Sequence, residues 1–124
     1  MASAALIRHE VAKRLAGFTV FIEPQVQYDQ LPAVLIETPS IRSLDNTSYY
    51  AKQVSLTITI MLKLKKQALI EAERFCAQIA NKMEVPLSGT LSHQWQETTF
   101  EQPLEQEQPL VIAKLQYLIL IEGN

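Results

Sequence analysis

Residues 52–64 alternate almost without a break. Val54, Leu56, Ile58, Ile60, Leu62 and Leu64 occupy one phase, and Ser55, Thr57, Thr59, Met61 and Lys63 occupy the other. Successive side chains on a strand point to opposite faces, so the first set belongs to a core and the second to an outward face. The outward set is polar but uncharged until Lys63. Two readings stay open for it: partial burial of Thr57 and Thr59 against another subunit, or a solvent-facing row of residues with good strand propensity. Residues 110–121 repeat the alternation with less polarity. Val111, Ala113, Leu115, Tyr117, Ile119 and Ile121 make one wholly apolar face. The other face, from Leu110 and Ile112 through Lys114 and Gln116 to Leu118 and Leu120, is only partly wet. A strand apolar on both faces is central in its sheet or covered by a partner.

Elsewhere the period lengthens to that of a helix. In residues 3–16, Ile7, Val11 and Leu15 fall four apart and stack on one face, with Ala4, Ala5 and Ala12 beside them. Ser3 suits an N-cap and Gly17 a left-handed C-terminal cap, while Arg8, Glu10, Lys13 and Arg14 take the outer face. Residues 67–83 carry a second stripe through Ala68, Ala72, Phe75, Cys76, Ile79, Ala80 and Met83, and Pro86 follows its end. Residues 18–23 and 31–38 read as strands, with Pro32 restricting the latter to a strand start or an edge. Residues 39–48 read as a polar loop. Residues 90–101 read as a strand in which Leu91, His93 and Trp95 share a face and Phe100 is out of phase; a bulge between Trp95 and Phe100 reconciles them. Residues 102–109 are polar, acidic and interrupted by two prolines, as an exposed connection requires. The order α-β-β-β-α-β-β predicts an α+β domain over residues 1–124. Its sheet is mainly antiparallel, with four to five strands and both helices on one face.

Composition narrows the class. Apolar residues are 48% and charged residues 19% of the 124, which is enough for a core and too hydrophobic for disorder. The net charge of −2 argues against a direct nucleic-acid partner, and Lys63, Lys65 and Lys66 read as a solvated strand end and helix entry. Cys76 is the single cysteine, so no internal disulfide forms, as suits a reducing compartment. The N-terminus lacks the pattern of a signal peptide. Residues 118–121, the longest apolar run near the C-terminus, fall far short of a membrane helix.

No chemistry assembles from the motifs. His9 reads as solvated, and only His93, grouped with Trp95 and Glu97 on a strand, suggests a cation site; two histidines fall short of a three-histidine zinc centre. Cys76 lies within an apolar stripe, where a thiol behaves as a small hydrophobe. Glu97, Glu101, Glu105 and Glu107 sit in or beside a polar loop, with nothing to split their pKa values. Glycine-rich phosphate loops and nucleophile elbows are absent from the sequence. The expectation is a protein without catalytic residues, cofactor or metal, acting by binding other proteins. Tyr49, Tyr50 and Trp95 are residue types that anchor interfaces, and equally types that close the ends of a core.

With these elements placed, the chain resembles the tail terminator proteins of long-tailed bacteriophages, the lambda-type minor tail family. The resemblance runs along nearly the whole chain: the N-terminal helix, a short strand containing Phe, and Leu31-Pro32-Ala33-Val34-Leu35-Ile36 leading into a loop. The long alternating strand, the amphipathic helix and the terminal strand with Tyr117 complete it. It implies a phage or prophage structural protein that forms a ring of six copies on the tail tube. Such a ring ends tube growth and offers a surface to a head-joining protein, first in the host cytoplasm and then in the virion tail. Its partners are itself, the tail tube protein and the head-joining protein, without tight nucleic-acid binding and without a membrane. The family supplies no sharp signature to carry onto single residues. Another connector or tail-completion protein, or a dimeric α+β module that binds a small ligand or regulates a partner, is the alternative.

Overall fold

The computed structural model describes residues 3–22, 26–43, 51–102 and 109–122. Among the described residues there are two α-helices and a six-stranded, mostly antiparallel, open sheet, one strand more than the upper expectation. The elements are α1 (Ala4–Arg14), β1 (Val20–Phe21), a 3-10 turn (Tyr28–Gln30), β2 (Ala33–Ile36), β3 (Ser40–Ser43), β4 (Ala51–Lys63), α2 (Ala68–Lys82), β5 (Ser92–Glu101) and β6 (Leu110–Glu122).

The alternating segments form the spine. β4 and β6 pair antiparallel over their full 13 residues, from Ala51 opposite Glu122 to Lys63 opposite Leu110. This register sets Val54, Leu56, Ile58, Ile60 and Leu62 beside Ile119, Tyr117, Leu115, Ala113 and Val111, so the two apolar faces merge into one. Leu64 lies past the strand end and is exposed. The sheet order is β1-β2-β4-β6-β5, with β1 parallel to β2.

β2 and β3 share one edge of β4, β2 against residues 58–61 and β3 against residues 52–55. One extra residue between them breaks the ladder, although the Glu37 N–H still donates to the Thr57 carbonyl at 3.0 Å. Pro39 stands in this break, where its missing N–H costs no ladder bond. Residues 40–43, expected as loop, are therefore strand. Pro32 comes just before β2, so it is tolerated although β2 is an inner strand.

Both helices cover the same sheet face, and their stripes join the strands in one core. α1 buries Ile7, Val11 and Leu15, and the Ser3 hydroxyl accepts from the Leu6 N–H at 3.2 Å. Gly17 does not form the expected left-handed cap; the helix ends at Leu15 through bonds from Ala16 N–H to Lys13 and from Phe18 N–H to Leu15. The polar face of α1 also departs from expectation. Arg8 donates to the carbonyls of Ile36 and Ile22, and Arg14 to those of Val85 and Pro86. Glu10 accepts from the Ser88 N–H and pairs with Arg14 at 3.0 Å. These side chains strap α1 to β1, β2 and the α2–β5 connection, so they are half-buried instead of solvated.

Candidate functional site

The sheet has two unlike sides. Beneath the helices it is closed by the core; on the other side no helix lies over it among the described residues. That uncovered face carries Leu110, Ile112, Leu118 and Leu120 of β6 and Met61 of β4, all half-buried. Lys114 and Gln116 divide the apolar residues of β6 into two groups, opposite Thr59 and Thr57.

Thr57 is half-exposed on this face, but Thr59 is only 5% exposed, and its hydroxyl donates to the Glu37 carboxylate across the β2 side. Thr59 is thus occupied within the chain and is removed from the set of residues free to meet another molecule. Tyr49 and Tyr50, like most of the loop expected at 39–51, lie outside the described residues. So does 103–108 of the acidic connection.

β5 bulges between Trp95 and Glu97, as its phase change required. His93 lies opposite Ile119 and Trp95 opposite Tyr117, on the helix side, while Glu97 lies opposite Gln116 on the uncovered side. The bulge therefore splits the His93, Trp95 and Glu97 grouping between two faces, and no cation site forms from it. Past the bulge Phe100 returns to the helix side, opposite Ala113. Among the described residues no three His, Cys, Asp or Glu side chains converge on a point.

Trp95 is 56% exposed because β5 extends beyond the cover of α2, and its indole N–H donates to the Thr98 hydroxyl at 2.9 Å. Between α2 and β5 runs an open groove of about 680 Å³ lined by Ala77, Ala80, Met83, His93, Trp95 and Tyr117, among others. The His93 and Tyr117 rings pack at 5.3 Å between centroids. Both His93 nitrogens are buried with no side-chain hydrogen-bond partner among the described residues, and burial holds the imidazole below its ordinary 6.5. Among the described residues no carboxylate bonds to it. Cys76 faces the core as its stripe predicts, and His9 is exposed on α1.

No protein-family model and no curated protein matches the chain.

The groove escapes sequence reasoning because α2 and β5 each show only one wall of it. The sole early sign is the phase change in residues 90–101, which puts Trp95 on the helix side. Lys63, Lys65 and Lys66 are exposed; Lys65 lies 3.4 Å from Glu71, and Lys63 stands over the Tyr28 ring at 5.1 Å. Among the described residues no helix is long and apolar enough to cross a membrane.

Proposed function

We propose that the chain is a structural subunit that caps a phage or prophage tail tube as an oligomeric ring, probing no substrate and carrying out no catalysis. The observation that carries this reading is the uncovered face of β4 and β6. A sheet normally buries one face and wets the other, yet here the outer face of a central strand presents Leu110, Ile112, Leu118 and Leu120. Two apolar groups on an uncovered sheet face, one on each side of Lys114 and Gln116, are surface that a neighbouring copy can bury. The element order adds the resemblance to tail terminators, whose rings use unlike patches on neighbouring copies. In this reading Ile112 and Leu118 meet the next copy, and the chain's net charge of −2 suits a ring through which DNA passes without being held.

Deleting the gene from its phage or prophage tests the proposal by electron microscopy. Tails of uncontrolled length that fail to join heads are expected. Tails of uniform length, attached to heads, would sink it. The small-ligand alternative has less support, because the groove beside Trp95 is open where a ligand site is enclosed.

A further inference from the structure

β5 ends the sheet order, so one row of its backbone N–H and C=O groups has no partner strand among the described residues. Proteins blunt such edges with lysine, proline, bulges or a covering element, because an open edge is a template for another strand. The ten residues Ser92–Glu101 include no lysine or proline, and the edge carries one bulge and the exposed glutamates Glu97 and Glu101, which repel an acidic strand and admit a basic one. The groove under α2 runs beside this edge. Its walls are Ala77, Ala80 and Met83 on one side and Trp95 on the other, with Tyr117 between them. The opposite face of the same edge carries Glu97 and Glu101, both exposed and in no ion pair among the described residues. A third carboxylate, Glu84, lines the groove.

We propose that the β5 edge is a docking site for an extended segment of a partner protein in which apolar and basic residues alternate. The segment adds to the sheet as a further strand, and its backbone hydrogen bonds supply much of the affinity. Strand geometry dictates the alternation. Residues i and i+2 turn toward the helix side, where an apolar side chain enters the groove against Trp95. Residues i+1, i+3 and i+5 turn toward the face of Glu97, Thr99 and Glu101, where lysine or arginine opposite the two glutamates is matched and an acidic side chain is repelled. The inference stands on the edge and the groove and does not depend on ring formation through the β4–β6 face.

The full chain, immobilised, is used to select from a displayed library of random twelve-residue peptides, and the most enriched sequence is synthesised with a fluorescein label. Enriched sequences should alternate apolar residues with lysine or arginine. The labelled peptide should shift the emission of Trp95, the one tryptophan, and protect β5 amides from hydrogen exchange. Ala77→Arg should block the groove, and the pair Glu97→Lys with Glu101→Lys should reverse the charge. Each change should weaken binding on the order of tenfold or more while thermal melts confirm folding. No enrichment, enrichment of acidic peptides, or binding that survives both changes would overturn the proposal. So would protection of β5 amides at high protein concentration without peptide, which would make a second copy the occupant.

Discussion

Burial on the core side of α2 pushes the Cys76 thiol up to about 11, and the nearby Glu73 carboxylate adds to the effect. At pH 8 roughly one such thiol in a thousand is ionised, and the thiolate is the reactive form. A thiol-specific disulfide reagent should therefore modify native protein far more slowly than protein in urea; equal rates would place Cys76 at the surface. His93 responds to the same physics with opposite sign. Its imidazole is held below the ordinary 6.5 first by burial and then by Arg14 of α1, against the Met83 backbone and Glu10, while Tyr117 of β6 packs on the ring. A lowered folded value means that the unfolded chain binds the proton more readily. The stability contributed is complete above pH 6.5 and is lost as pH falls below it toward the folded value. His93→Phe should flatten the decline in melting temperature between pH 7 and 5.5. An unchanged slope would assign that decline to other groups.

At the level of elements, the paired registers of β4 and β6 decide which substitutions the fold tolerates. Ile58 is fully buried opposite Leu115, so Ile58→Asp should cost about 4 kcal/mol or more and unfold the domain. Its neighbour Thr57 faces the uncovered side, and Thr57→Asp should keep the fold; thermal melts of the two variants should differ sharply. Equal losses would contradict the register. These strands were legible because an alternation sustained over a dozen residues has one physical reading, and the bulge was legible because Phe100 broke phase with Trp95. Ser40–Ser43 was not, since its strand is made by backbone pairing with β4 and its Ile41 stays exposed. The burial of Thr59 and the strapping role of Arg8 and Arg14 were equally hidden. Their partners, Glu37 and the carbonyls of Ile22, Ile36, Val85 and Pro86, come from elsewhere in the chain.

For the whole molecule, one face of the sheet is consumed by the helices and the other is left apolar at both ends of β6. A 14.0 kDa chain has little surface to divide among partners, and the proposed ring would multiply each patch by the number of copies. The β5 edge borders the uncovered face, because Glu97 and Glu101 lie on that face opposite Gln116 and Ile112, so a docked segment and a neighbouring copy in the proposed ring would meet along this border. Lys114 and Gln116 between the two apolar groups give the face a polar centre, which in the proposed ring would favour one register of packing over others. Leu118→Lys should therefore disrupt assembly without unfolding, because Leu118 contributes to the uncovered face and not to the core. Native mass spectrometry of the purified full chain, run beside Leu118→Lys, is the most direct test. Six copies of the 14.0 kDa chain are expected for the unchanged protein and single copies for the folded variant. A monomer at every concentration, or a ring that survives Leu118→Lys, would contradict assembly through the β4–β6 face.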